Sequence, residues 1–263
     1  MKDRSHSPFG NNLLGVEKSR HGGKMAVSTI FFDYGGTLVK VPPIIARPEK
    51  VWVEAAWKLG LNLSETLVRH ALEATNERME GQIYRYVGRT AEYWTLFDVA
   101  VMDRLHIREK REELGNAVDG RFADPTNREL FPEARTILEQ LKDSGYHLGL
   151  ISNNNDFLLK VLAYHGLDKL LDSVTYSQEV GAEKPAPQIF SKALERAHCA
   201  PAEAVHVGGS LHADVEGAQR SGMHAIWLNR TDEPGSTNCL TIRTLYELPA
   251  VLQLIGHIAD SPR

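Results

Sequence analysis

The sequence predicts an α/β protein: a Rossmann-like parallel sheet flanked by helices, with an inserted α-helical segment. Three observations lead to this prediction. Short β-branched apolar runs alternate with helical patterns along most of the chain. The first run ends in Asp33 and is followed by Gly35 and Gly36, which places a carboxylate where an open sheet binds ligands. From about residue 41 to 127 the alternation stops and no strand pattern is found.

The strands are predicted where short runs of apolar and β-branched residues occur. They fall at Ile30–Phe32, Leu148–Ile151, Val174–Tyr176, Val205–Val207 and Ala225–Leu228. Helical patterns separate most of them. Pro132 is expected in the first turn of one helix, Gly166 at the C-terminal end of a second, and Pro187–Ala197 forms a third. This alternation indicates a parallel sheet covered on both faces.

The segment without strands is predicted to be a small helical bundle. Its helices are expected at Glu49–Leu59, Ser64–Glu80, Thr90–His106 and Glu109–Phe122. Because it follows the first strand directly, it should lie over the C-terminal edge of the sheet, where a lid excludes water and selects substrate. We therefore expect a core domain from residues 25–40 and 128–263, and a cap domain from residues 41–127.

The composition of the chain argues against a nucleic-acid-binding protein, a membrane-spanning protein and a disulfide-bonded protein. The net charge of −4 gives no support for a nucleic-acid partner, and no apolar stretch is long enough to span a membrane. Cys199 and Cys239 have no metal-type or redox spacing and are interpreted as free thiols of a reducing compartment, so a cytoplasmic location is expected. Residues 1–24 are polar and lack a signal-peptide pattern, which predicts a disordered tail or an extension upstream of a start at Met25.

Four short motifs carry the chemistry. In chain order they are Asp33–Leu38, Leu150–Asn153, Ser177–Phe190 and His206–Ala218. The first motif places the carboxylate of Asp33 at the end of a predicted strand, and the second places the hydroxyl of Ser152 at the end of another. The third motif places Lys184 just before a predicted helix. The fourth consists of a predicted strand followed by two glycines and then by an acid, Asp214. Together they resemble the haloacid dehalogenase-like (HAD) hydrolase superfamily, most closely subfamily I, in which a helical C1 cap follows the first motif.

The resemblance implies a role for each of these residues. Asp33 would attack phosphorus and form an aspartyl-phosphate, which divides one difficult displacement into two steps. Lys184 would neutralise charge on the phosphoryl oxygens and restrain Asp33. The remaining phosphate-binding residues implied by the motifs are Ser152, Asn153, Gly36 and Thr37.

The resemblance also implies a cofactor and a substrate class. Mg²⁺ would be held by the carboxylate of Asp33, the backbone carbonyl of Gly35 and the carboxylate of Asp214. The expected substrate is a small phosphorylated metabolite, and the expected assembly is a monomer or a homodimer without a nucleic-acid or membrane partner.

Two positions depart from the family pattern. Phosphatases of this family carry a second Asp two residues after the nucleophile, which protonates the leaving oxygen, and this position is Gly35 here. The fourth motif usually contains an Asp that binds Mg²⁺, and this position is Gly209. General acid–base help is typically worth 10²–10⁴-fold in rate, so the change at Gly35 affects the expected activity directly.

Three interpretations follow from these departures. The chain is a phosphatase-type hydrolase whose missing acid is replaced by the cap, the substrate or water; it is a metal-independent haloacid dehalogenase, since a halide leaves without a proton; or it is a pseudoenzyme that binds a phosphorylated ligand. The acids of the cap that could replace the missing one are Glu54, Glu77, Glu80 and Asp98.

Overall fold

Six parallel strands form the sheet of the protein in a computed structural model, which describes residues 27–40, 47–86, 90–235 and 238–260. The strands are β1 (Thr29–Phe32), β2 (His147–Ser152), β3 (Ser173–Tyr176), β4 (Ala204–Gly208), β5 (His224–Leu228) and β6 (Leu240–Ile242). Their order is β3-β2-β1-β4-β5-β6, and each pairing is parallel. The predicted α/β parallel sheet is therefore confirmed, whereas the predicted tail at residues 1–24 lies outside the described residues.

Eight longer helices accompany the sheet in this part of the chain. They are α1 (Pro48–Lys58), α2 (Glu65–Met79), α3 (Thr90–Arg104), α4 (Arg111–Phe122), α5 (Ala134–Asp143), α6 (Phe157–Tyr164), α7 (Pro187–Ala197) and α8 (Leu248–Asp260). Helix α5 begins at Ala134, so Pro132 precedes it and does not lie in its first turn. Gly166 has the left-handed backbone (φ 64°) expected of a glycine that follows a helix.

The sheet is buried on both faces because successive side chains of a strand point in opposite directions. Ile30 and Phe32 of β1 join the apolar cluster that includes α5, α6 and α8. Phe31, between them, joins the opposite cluster, which α7 covers. All three side chains are fully buried, which explains why this strand appears in the sequence as a continuous apolar run.

Helices α1 to α4 have an apolar core of their own. Trp52, Phe97 and Leu114 belong to a cluster whose buried members all lie between residues 52 and 118. Tyr93 contacts Trp94 and Phe97 edge-on or tilted, at centroid distances of 5.0 and 6.3 Å. The aromatic residues of this insertion are thus largely used for packing, in agreement with the helical bundle expected from the sequence.

The strand order determines where a ligand can bind. In an open parallel sheet the crevice lies beyond the carboxyl ends of the strands, at the point where the strand order reverses. Here that point is between β1 and β4, which are neighbours in the sheet although β2 and β3 lie between them in the chain. None of the helices in the described part of the chain has the length and hydropathy that crossing a bilayer requires.

Candidate active site

Asp33 and Lys184 form a buried ion pair at the carboxyl end of β1. Lys184 Nζ donates to Asp33 Oδ1 at 2.7 Å, and only 2% of the lysine side chain and 13% of the aspartate side chain are exposed. The same ammonium donates to the carbonyl of Ile151, which belongs to the neighbouring strand β2, at 2.8 Å. Residues separated by about half the chain thus meet at one edge of the sheet.

Asp214 is a second carboxylate that binds the Lys184 ammonium. Its Oδ1 accepts from Lys184 Nζ at 2.6 Å and from His206 Nε2 at 3.0 Å. Its Oδ2 accepts from the backbone N–H of Ser210 at 2.9 Å. The oxygens of Asp214 are therefore both occupied by donors of the protein, and the side chain is 4% exposed.

A π-helical turn brings Asp214 back onto the end of β4. The turn spans Leu211–Glu216, and Ser210 begins it by accepting the N–H of Ala213 with its side chain. A Cβ added to Gly208 would lie 2.3 Å from Cγ of Asp214. Only glycine at position 208 leaves room for this carboxylate, which is the close approach that glycines after a strand permit.

Burial and mutual attraction set the charges of these groups. Burial raises the pKa of the Asp33 carboxyl, while the Lys184 ammonium acts in the opposite direction. For Lys184, burial would lower the pKa, but the carboxylates of Asp33 and Asp214 outweigh it and raise the pKa. For Asp214, burial is outweighed by Lys184 and His206, so its pKa lies well below the usual range. Lys184 is therefore an ammonium and Asp214 a carboxylate.

His206 supports Asp214 from within the sheet. Burial lowers the pKa of this imidazole, and its ring packs edge-on against Phe190 at 5.7 Å. Since the Asp214 carboxylate can only accept, the proton must be on Nε2, and His206 is the neutral tautomer that donates it. Nδ1 has no hydrogen-bond partner among the described residues. His206 orients the carboxylate without adding a charge.

Asn153 holds the backbone that carries the lysine. Its Nδ2 donates to the carbonyl of Lys184 at 2.9 Å, and its Oδ1 accepts from the Lys184 N–H at 2.6 Å. Both ends of the amide are thus engaged by the Lys184 backbone, where the sequence predicted a phosphate contact. Ser152, the preceding residue, lies buried at the end of β2 with 2% exposure.

The loop after Asp33 is fixed from the opposite side by Arg230. The guanidinium donates to the carbonyls of Gly36 and Thr37, both at 2.9 Å, and to Glu133 Oε1 at 2.7 Å. It also lies over the ring of Phe131, 3.6 Å from its centroid. Thr37 Oγ1 donates to Asp33 Oδ2 at 3.3 Å, so the restrained loop reaches the second oxygen of the carboxylate.

Two glycines leave open space in the same region. A Cβ on Gly35 would meet nothing within 4 Å, and a Cβ on Gly209 would approach only the carbonyl of Leu228, at 3.6 Å. Gly35 follows Asp33 by two residues and Gly209 follows the end of β4. The positions that lack the two expected acids therefore have room for side chains.

The predicted Mg²⁺ ligands fit the cation poorly. Mg²⁺ requires near-octahedral oxygen coordination and is usually bound through one or two carboxylates. Asp214 already accepts from three protein donors, and Gly209 supplies no carboxylate. Among the described residues, no group of three or more His, Cys, Asp or Glu side chains could hold a metal ion. The remaining donors of the predicted set are Asp33 and the carbonyl of Gly35, and we derive no catalytic step through a metal.

The fold is an open, parallel α/β sheet whose strand-end side chains form one buried polar cluster. Comparison with known proteins identifies the family: the model of haloacid dehalogenase-like hydrolases matches residues 27–222, and the chain belongs to this family. The resemblance to the haloacid dehalogenase-like superfamily is thereby confirmed, whereas the assignment to subfamily I stays a prediction.

Similar proteins include both phosphatases and a haloacid dehalogenase. The chain is 31% identical to a glyceraldehyde 3-phosphate phosphatase of Pyrococcus furiosus, over 76% of this chain and 80% of the relative. It is 30% identical to the (S)-2-haloacid dehalogenase 4A of Burkholderia cepacia, over 77% and 83%. A solved HAD phosphatase from Thermococcus onnurineus superposes with a TM-score of 0.64 at 30% identity, covering 86% of this chain and 98% of that structure.

The structure brings together most of the residues singled out in the sequence, and adds others. Asp33, Lys184 and Asp214 meet directly, and Thr37 contacts Asp33. Asp98, considered as a replacement acid, is buried in the insertion and has 5% exposure. Sequence reasoning missed Arg230, Glu133 and the role of His206. Arg230 follows β5 by two residues at the ligand-binding edge of the sheet, and this position was the available signal.

Proposed function

We propose that this protein hydrolyses a small phosphorylated metabolite, with Asp33 as the nucleophile. The observation that supports this most is the Asp33–Lys184 pair, with 2.7 Å between Nζ and Oδ1, at the reversal point of the sheet. The ammonium of Lys184 favours the ionised form of Asp33, against the effect of burial, and gives the anionic phosphoryl group a positive partner. The phosphatase named among the relatives is consistent with this substrate class.

The proposed reaction uses groups of the chain itself. Asp33 attacks phosphorus, the bond to the leaving oxygen breaks, and an aspartyl-phosphate forms. Lys184 orients Asp33 before attack and offsets negative charge during the transfer. Thr37, Ser152 and the loop at Gly36 are proposed to face the phosphoryl oxygens, whereas Asn153 and Asp214 position Lys184.

The test is turnover of 4-nitrophenyl phosphate by the full chain and by Asp33→Asn. The amide cannot act as the nucleophile, so we expect the rate to fall by at least ~10³-fold. Asp143→Asn is the matched control, because Asp143 ends α5 just before β2 begins and so belongs to the opposite edge of the sheet. Equal rates for Asp33→Asn and the parent protein would remove the proposal.

Hydrolysis of a 2-haloacid is the second candidate function. The observation that favours it is the pair Gly35 and Gly209, because halide release requires neither a proton donor nor the missing carboxylate. In this reaction water attacks the ester carbon of Asp33, whereas in phosphate-ester hydrolysis it attacks phosphorus. Halide release in H₂¹⁸O would therefore carry the label into Asp33. Absence of halide release from (S)-2-chloropropionate, without added metal, would exclude this candidate.

A further inference from the structure

We infer that the phosphorylated compounds hydrolysed at this site are those with a weakly basic leaving group, and that the substrate is an acyl phosphate, a mixed anhydride of a carboxylic acid and phosphoric acid. This inference rests on the proposed function and narrows its substrate class. An acyl phosphate transfers its phosphoryl group and releases a carboxylate, which is stable in water without a proton. An alkyl phosphate must release an alkoxide, which is strongly basic and needs a general acid.

Among the described residues, the titratable groups that contact Asp33 do not direct a proton at a substrate. The ammonium of Lys184 directs its hydrogen bonds to three acceptors: Asp33, the carbonyl of Ile151 and Asp214. Loss of a proton from Lys184 would leave the two buried carboxylates without their cation. Both oxygens of Asp214 accept hydrogen bonds from protein donors, so Asp214 has no proton directed at a substrate.

Three other titratable side chains of the described residues have their hydrogen bonds or packing elsewhere. His206 donates its proton to Asp214 behind the ion pair and is 1% exposed. Tyr34, next to Asp33 in the chain, is buried with 6% exposure and packs in the apolar cluster that includes β1 and α5. Asp98 of the insertion lies in a buried pair with Asp119.

The sequence that follows Asp33 also lacks a proton donor for the leaving group. Gly35 occupies the position two residues after Asp33, and a side chain there would meet open space. Between Gly36 and Ala46 the one titratable residue is Lys40, whose ammonium is paired with Glu129 at 2.9 Å. This stretch of sequence therefore contains no carboxyl, imidazole or thiol group that could serve as the general acid.

The proposed steps balance without an added acid. Asp33 Oδ bonds to phosphorus while the bond to the acyl oxygen breaks, and the carboxylate leaves with the electron pair. Water then attacks phosphorus, the bond to Asp33 Oδ breaks, and the proton of water passes to the phosphate or to solvent. The leaving group of this second step is the Asp33 carboxylate itself, which is also weakly basic. Each step therefore releases a carboxylate.

The experiment compares kcat/KM of the full chain for acetyl phosphate, 4-nitrophenyl phosphate, phenyl phosphate and glycerol 3-phosphate. We expect a fall along this series, with acetyl phosphate at least ~10²-fold better than glycerol 3-phosphate, the lower end of what a general acid contributes. Similar values across the series would overturn the inference, because they would reveal a proton donor. Loss of every activity in Asp33→Asn tests the proposed function separately.

A matched pair of variants strengthens the test. Gly35→Asp adds a proton donor in the open space and should raise kcat/KM for glycerol 3-phosphate by ~10²-fold relative to acetyl phosphate. Gly35→Asn has the same size and cannot serve as the acid, so the ratio should stay that of the parent. A gain in Gly35→Asn equal to that in Gly35→Asp would contradict the inference, since it would arise from packing alone.

Discussion

Asp98 shows how a single carboxyl can determine the pH dependence of the insertion. It lies on α3, is 5% exposed, and its Oδ2 has no hydrogen-bond partner among the described residues. Burial, together with the neighbouring Asp119 of α4, raises the pKa of Asp98 to about 8. At neutral pH Asp98 is therefore a neutral acid that can donate to Asp119, and this accounts for an oxygen that would otherwise be an unpaired buried anion.

Asp98→Asn should flatten the pH dependence of stability. The folded-state pKa is raised above the unfolded value of ~3.9, so the stabilising contribution is present at low pH and is lost as pH rises through about 8. The amide keeps a donor and does not ionise, which removes a downward slope of up to ~1.4 kcal/mol per pH unit between pH 5 and 8.

Urea unfolding at several pH values measures this slope directly. Asp103→Asn is the control, because Asp103 lies on the same helix in an exposed ion pair with Arg111 and should leave the slope unchanged. Parallel stability curves for the parent protein and Asp98→Asn would show that Asp98 is ionised in the fold.

At the scale of single residues, the sequence predicted which residues form the site better than it predicted the contacts that they make. Asp33, Lys184 and Asp214 follow from their motifs because each lies at a strand end or before a helix. Asn153 does not, because nothing in the second motif shows that both ends of its amide contact the Lys184 backbone. The burial of the Asp98 carboxyl was also not predictable from the sequence, because a single acid in a helical pattern is normally exposed to solvent.

At the scale of elements, the loop after β1 depends on a residue that follows β5. Arg230 joins the carbonyls of Gly36 and Thr37 to Glu133 at the start of α5, and only 18% of its side chain is exposed. Glu133 is 6% exposed as a side chain, and its pKa is lowered because Arg230 and backbone donors outweigh burial. Three elements are thus held together by one guanidinium.

Arg230→Met should destabilise the fold by roughly 3 kcal/mol, because it leaves Glu133 charged, buried and unpaired. Arg230→Lys retains the charge but not the planar fork that reaches two carbonyls and a carboxylate, so it should recover only part of the loss. Urea unfolding provides the measurement. Arg243→Met is the control, since Arg243 and Asp232 are each 66% exposed and such a pair is worth less than ~1 kcal/mol. Equal losses in Arg230→Met and Arg243→Met would contradict the role of Arg230.

The elements themselves were largely predictable because their patterns are local. The apolar runs of β1 to β5 and the periodicity of the insertion mark the strands and helices to within a few residues. The π-helical turn at Leu211–Glu216 was not predicted, because it depends on Asp214 folding back over Gly208, a contact between the turn and the strand before it. The Arg230 contacts join segments 97 to 194 residues apart and leave no local pattern.

At the scale of the whole molecule, the site combines an intact ion-pair centre with an incomplete set of metal ligands. The chain belongs to the haloacid dehalogenase-like hydrolase family, but Gly209 and the engaged Asp214 leave few oxygens for Mg²⁺. The division into a core domain and a cap domain stays a prediction, consistent with the separate apolar core of the insertion.

Removal of metal ions is expected to change the rate of hydrolysis little. Turnover of acetyl phosphate in EDTA should stay within ~2-fold of turnover in millimolar Mg²⁺, because the site offers fewer carboxylates than the cation usually requires. Steady-state rates in the two buffers provide the measurement, with substrate held well above KM in both. A large loss in EDTA that Mg²⁺ restores would show that Asp33 and the Gly35 carbonyl are sufficient to bind the cation.

The central claim is that a covalent bond forms between the carboxylate of Asp33 and the phosphoryl group. The most direct measurement is to quench the full chain during turnover of acetyl phosphate, reduce with borohydride and sequence the peptides by mass spectrometry. An aspartyl-phosphate is reduced to homoserine, so the account predicts homoserine at position 33 and none in a reaction without substrate. Unmodified Asp33 during active turnover, or homoserine at another acid, would contradict it.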